Sequence, residues 1–110
     1  MNEIRLYMAQ RFSAAIMAPL VLLHLGVMIY AIQGGLSAEE ILSRTRGSLL
    51  WGAVYGLFVV AVAVHAAIGL RNVLREWSTI PRGGLNVVSW MFAIGLLLLG
   101  GRAVYAVVIG

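Results

Sequence analysis

The chain has 110 residues; 62% are hydrophobic, 11% are charged, and the formal net charge is +4. Soluble domains carry about a quarter charged residues, and a chain this short leaves much of its surface outside the core. The composition therefore argues against a soluble globular protein, and against a soluble enzyme with it. All the basic residues are arginines, and they sit at the ends of apolar runs rather than in one patch. That distribution fits membrane flanks and speaks against nucleic acid as a partner. There is no cysteine, so no disulfide framework, iron–sulfur cluster or thiolate metal site lies in this chain.

In chain order, residues 1–10 (MNEIRLYMAQ) read as a short interfacial helix, with apolar positions mixed among polar ones. Three uncharged runs follow, at 12–38, 47–70 and 83–101. A spanning helix takes about 20 mostly apolar residues, so each run predicts one span, at about 11–32, 48–74 and 85–108. Pro19 should kink the first span by removing a backbone donor, and Gln33-Gly34-Gly35 should end it. Ser37-Ala38-Glu39-Glu40 has the pattern of a capping box and opens a short amphipathic helix, in which Glu40 and Arg44 are spaced to pair. Gly52 and Gly56, with Ser48 a turn earlier, form a small face that lets another helix approach closely. Pro81-Arg82-Gly83-Gly84 reads as a turn. The fold class is all-α, a single three-span membrane unit over residues 1–110 in the lipid bilayer. Arg5, Arg11, Arg71, Arg75 and Arg82 fall on one side and Arg44, Arg46 and Arg102 on the other. The excess of positive charge predicts a cytoplasmic N-terminus.

Both histidines lie inside apolar runs, where an ionisable side chain is costly and marks a functional position by default. His65 sits between Ala61 and Gly69 on one helical face. Small residues on either side would let a flat macrocycle lie against the helix, and haem iron takes imidazole readily. Arg71 follows about 9 Å further along the helix, near the level of Arg5, Arg11 and Arg75. These arginines suit topology, anionic lipid or haem propionates. His24 lies about 11 Å from the depth of His65 by helix rise. The two are therefore not expected to clamp one haem, and His24 reads as structural.

The run His65-Ala66-Ala67-Ile68-Gly69-Leu70-Arg71, followed by Val73-Leu74 and Glu76-Trp77, resembles the haem b-binding membrane anchor subunits of succinate dehydrogenase (succinate:quinone oxidoreductase, complex II). His-x-x-x-Gly-x-Arg is the pattern of the cytochrome b-type anchor; His-Ala-x-Ile-Gly with an acidic-aromatic pair is that of the smaller anchor. This chain mixes the two. Arg11-Phe12-Ser13-Ala14 is similar to the family's Arg-x-Ser/Thr-small segment. The resemblance implies half of a two-chain helical bundle around haem b, in the bacterial inner (cytoplasmic) membrane. It implies His65 as the axial ligand of the haem iron and Arg11 and Arg71 as propionate partners. It places Tyr7, Arg11, Ser13, Glu76 and Trp77 at a quinone-binding site, quinone being the substrate. Trp77 stands where the smaller anchor has Tyr, and Asn72 where the cytochrome b-type anchor has a second His. Implied partners are a second anchor subunit or a second copy of this chain, an iron–sulfur subunit and a flavoprotein subunit that carries the flavin chemistry. Two alternatives stay open: an anchor working as fumarate reductase, and a non-redox membrane scaffold subunit.

Overall fold

The computed structural model describes residues 2–110. It contains four helices, α1 (Glu3–Gly34), α2 (Ala38–Thr45), α3 (Leu49–Trp77) and α4 (Arg82–Val108), with no strand among the described residues. α1, α3 and α4 are each long and apolar enough to cross a membrane. α3 is the centre of the bundle, with α1 and α4 packed against it and α2 leaning on α4. The bundle is 49 Å long, close to the ~48 Å that the rise of a helix as long as α1 provides.

α1 differs from the sequence reading at its start. The stretch read as a separate interfacial helix is continuous with the first span, from Glu3 onward; residue 1 lies outside the described residues. Asn2 caps α1 by accepting from the Ile4 and Arg5 amides at 2.8 and 3.4 Å, and Glu3 complements the helix dipole in the first turn. Extending a formed helix avoids a second nucleation cost, and Glu3 and Gln10 gain partners on α3. The helix runs on through Pro19 to Gly34. It stops at Gly35, whose φ of 121° suits glycine alone.

The capping box forms. Ser37 Oγ accepts from the Glu40 amide at 3.2 Å and donates to Glu40 Oε1 at 3.0 Å. The expected Glu40–Arg44 pair does not form. With Glu40 occupied at the cap, Arg44 donates to the Gly35 carbonyl at 3.3–3.4 Å and lies over the Tyr30 ring at 5.2 Å. The second turn is also shorter than the sequence suggests, since Arg82, Gly83 and Gly84 already belong to α4. Pro81, with no amide hydrogen to lose, sits at the boundary.

The helix interfaces hold mostly small and polar residues: Ala61, Ala63, Ala67, Ser13, Thr45, Ser89 and Arg71 are buried, with Ile68 and Leu85 the two large apolar side chains among them. Large apolar side chains such as Leu22, Leu50, Leu98 and Leu99 point outward. This is the membrane arrangement, in which lipid solvates the apolar surface and close packing holds the helices. Ser89 Oγ donates to the Ala67 carbonyl across α3 and α4 at 3.2 Å, and Thr45 Oγ1 to the Val107 carbonyl at 2.6 Å.

Within the chain, the glycine packed most tightly between α3 and α4 is neither Gly52 nor Gly56. Gly52 has Val108 at ordinary contact distance, and Gly56 faces open space within the chain. The close approach is at Gly100, where an added Cβ would meet Val59 Cγ1 at 2.5 Å and Val59 Cβ at 3.2 Å. Gly100→Ala is expected to push α4 off α3 at a cost of about 1–3 kcal/mol, whereas Gly56→Ala should leave stability unchanged. Thermal unfolding of the detergent-solubilised protein checks this; restoration of stability by adding Val59→Ala to Gly100→Ala would tie the cost to that contact.

Candidate functional site

At one end of the bundle, where the start of α1 meets the second half of α3, a set of polar side chains comes together. His65 is half-buried on α3, and its Nδ1 lies 3.2 Å from the main-chain carbonyl oxygen of Gln10 on α1. A carbonyl oxygen only accepts, so this contact requires the proton on Nδ1. In the neutral ring Nε2 then carries a free lone pair. The same carbonyl accepts from Ser13 Oγ at 2.8 Å. The Gln10 side chain is engaged as well, its Oε1 accepting from Asn72 Nδ2 at 3.2 Å.

The Ala61–His65–Gly69 stripe is not left open in the way its spacing predicts. Ala61 is buried, and a Cβ at Gly69 would meet Gln10 Nε2 at 3.5 Å. At Gly69 the small residue admits α1 itself.

Arg71 occupies a different face of α3, and only 1% of the residue is exposed. Its Nε donates to Asn86 Oδ1 of α4 at 3.2 Å, and its Nη1 donates to Glu3 Oε2 at 3.5 Å. Its Nη2 is 3.2 Å from Glu3 Oε1, an ion-pair contact; among the described residues Nη2 has no aligned hydrogen-bond acceptor. Arg75 reaches the same carboxylate at 2.8 Å. Glu3 therefore joins the last turns of α3 to the first turn of α1, and Arg71 extends the link to α4. The expected arginine cluster divides. Arg71 is buried against Glu3, Arg75 reaches the same carboxylate from the surface, and Arg5 and Arg11 are exposed on α1.

The residues expected around quinone also divide. Tyr7 and Arg11 form an exposed pair one turn apart, with the Arg11 guanidinium 5.4 Å from the Tyr7 ring centre. Ser13, 4% exposed, faces α3 rather than that pair. Glu76 and Trp77 end α3 at the same end of the bundle and are exposed, Trp77 at 84%.

His24 is elsewhere. Its ring stands edge-on to Tyr55 and Phe58, with centroids 6.0 and 5.6 Å away. From Phe58 to His65 is two turns of α3, about 10 Å, so the depth difference between the histidines is present in the fold. His24 lines an open apolar groove of about 1340 Å³ between α1, α2, α3 and α4, which Tyr55 and Phe58 also line. Among the described residues, no group of three or more His, Cys, Asp or Glu side chains is placed to hold a metal ion. A single axial imidazole is a different requirement, and His65 with a bare Nε2 has the right donor chemistry for it.

Gln10, Asn72, Glu3 and Asn86 were not among the site residues expected from the sequence. Spacing carries a signal for three of them, because Glu3 and Gln10 are seven apart on α1, as are His65 and Asn72 on α3, and seven residues return a helix nearly to the same face. The partnership of Arg71 with Asn86 has no local signature.

No curated protein and no solved structure matches the chain. The family described as succinate dehydrogenase/fumarate reductase transmembrane subunit matches residues 3–101. That match takes in α1, α2, α3 and most of α4, and with three apolar helices long enough to span a bilayer the chain belongs to the succinate dehydrogenase/fumarate reductase transmembrane subunit family.

Proposed function

We propose that this chain is the haem b-binding anchor of a succinate:quinone oxidoreductase and that it helps form the site where quinone is reduced. The N-terminal end of α1 and the C-terminal end of α3 lie on the cytoplasmic side of a bacterial inner membrane. A flavoprotein and an iron–sulfur subunit dock at that end, and a second anchor subunit completes the bundle. The observation that carries the reading is the His65 Nδ1 contact with the Gln10 carbonyl at 3.2 Å. Metal-binding histidines nearly always donate their other ring N–H to a carbonyl or carboxylate, which fixes the tautomer and strengthens the ligand.

Haem b supplies a one-electron carrier between the two sides of the anchor pair. His65 would hold the group through its unpartnered Nε2, and a partner anchor would supply the other protein ligand. Arg11, exposed on α1, is free to pair with a propionate. Arg71 can join it only in competition with Glu3, which already holds its guanidinium. Quinone reduction needs donors to two carbonyl oxygens and a supply of protons. The Tyr7 hydroxyl and the Trp77 indole N–H are exposed donors at this end. Ser13 adds a hydroxyl only if it releases the Gln10 carbonyl. Arg11 places positive charge where the oxygens become anionic, and the exposed Glu76 carboxylate offers a proton-carrying group beside Trp77.

The test is to purify the complex that carries this chain and record its dithionite-reduced minus oxidised spectrum and its succinate:quinone and quinol:fumarate rates. The reading expects a b-type spectrum and succinate-driven quinone reduction. A complex with neither haem nor quinone activity refutes it and favours the scaffold alternative, and a much faster fumarate-reducing rate assigns the reverse direction.

A further inference from the structure

We propose that Gln10 is the positioning residue of His65 and that Asn72 holds it in place. The proposal deepens, and rests on, the reading of His65 as a haem ligand. The carbonyl that receives Nδ1–H belongs to α1 and the imidazole to α3. The rotation of the ring therefore depends on the register of two separate helices. Among the described residues, the polar contacts between α1 and α3 are those of Glu3 with Arg71 and Arg75, near the helix ends, and those of Gln10 with His65 and Asn72. Gln10 thus carries both polar links at the level of His65. Its main chain takes the ring proton, while its side chain is tied to Asn72, two turns beyond His65 on the same face of α3. Gly69 lies between them and lets the Gln10 amide come in against the helix.

Ser13 acts in the opposite sense. Its hydroxyl donates at 2.8 Å to the carbonyl that His65 uses at 3.2 Å. Both add to the helix's own bond from the Ala14 amide to that oxygen, and donors that share one acceptor each bind it less strongly than one alone. A firm Nδ1–H bond makes imidazole a more basic ligand and favours the oxidised iron; a loosened bond favours the reduced iron. Asn72→Leu frees the Gln10 side chain and should loosen the bond. Ser13→Ala removes the competing donor and should tighten it.

The experiment is a redox titration of the haem in the purified complex for wild type, Asn72→Leu, Asn72→Gln and Ser13→Ala, with haem content per complex measured alongside. Asn72→Leu is expected to raise the midpoint potential and to weaken haem retention on the order of tenfold. Asn72→Gln, which keeps an amide donor, should stay closer to wild type than Asn72→Leu. Ser13→Ala should lower the potential. Shifts of opposite sign are not expected from packing defects, so they would identify positioning. If the Asn72→Leu complex does not assemble, Ser13→Ala and Asn72→Gln decide the matter by the same signs. Unchanged potentials, or shifts in one direction for both Ser13→Ala and Asn72→Leu, overturn the positioning role while leaving haem ligation standing. A wild-type complex without a b-type spectrum overturns haem ligation itself, and the positioning role falls with it.

Discussion

His65→Ala is expected to abolish the b-type difference spectrum of the complex, while His24→Ala should leave it in place. The two substitutions remove the same ring from the same bundle, so their contrast isolates position. His65 is half-buried near the end where this set of polar side chains comes together, with its tautomer set by the Gln10 carbonyl. His24 is exposed at the surface of the isolated chain, packed edge-on against Tyr55 and Phe58. Alanine at 65 leaves the Gln10 carbonyl to Ser13, so the fold should persist and the loss should be of cofactor alone. The check is a pair of reduced-minus-oxidised spectra at equal chain concentration, with helix content followed by circular dichroism. A b-type band retained in His65→Ala would assign the axial ligand to another residue.

Arg71→Ala is expected to be the most destabilising single truncation at the polar end, at about 3 kcal/mol. Arg71 is the largest fully buried side chain, and it contacts both Asn86 on α4 and Glu3 on α1. Truncation opens a cavity and leaves the Asn86 oxygen without its donor. Glu3→Gln should also destabilise, for a different reason: it removes the carboxylate that compensates a buried guanidinium, and a stranded buried charge is costly. Arg71→Met fills most of the volume without a charge to compensate, so it should be milder than Arg71→Ala. Arg75→Ala should hardly register, because both members of that pair are well exposed. The midpoint of thermal inactivation of the solubilised complex gives the order. Equal losses for Arg71→Ala and Arg75→Ala would mean that burial of Arg71 is not what holds this end.

How much of this could be read in advance depended on whether a feature is local. The spans were legible because a bilayer demands long uncharged apolar runs, and those runs are visible in any linear scan. The Ser37 capping box was legible because all its partners lie within three residues. The start of α1 was misread because residues 2–10 mix polar and apolar side chains as an interfacial helix does. What makes them part of the span is the match of Glu3 and Gln10 to α3, about sixty to seventy residues away. Gly100 was overlooked in favour of Gly52 and Gly56 because a G-x-x-x-G spacing marks a small face without saying which helix meets it.

The sequence by itself determined the class of the protein, an all-helical three-span membrane subunit, and a resemblance of which the match over residues 3–101 bears out the succinate dehydrogenase/fumarate reductase transmembrane subunit family. Only the tertiary structure decided the surroundings of the candidate site residues. It turned Arg71 inward to Glu3 and Asn86, left Arg11 outside, separated Ser13 from Tyr7, and put a main-chain carbonyl of α1 against the His65 ring. The physical reason is that hydrophobicity and helix period act along the chain, where a sequence displays them. Hydrogen-bond partners at membrane depth are instead chosen by the rotation and register of whole helices, and small residues such as Ala61, Gly69 and Gly100 set these by how closely they let the helices approach.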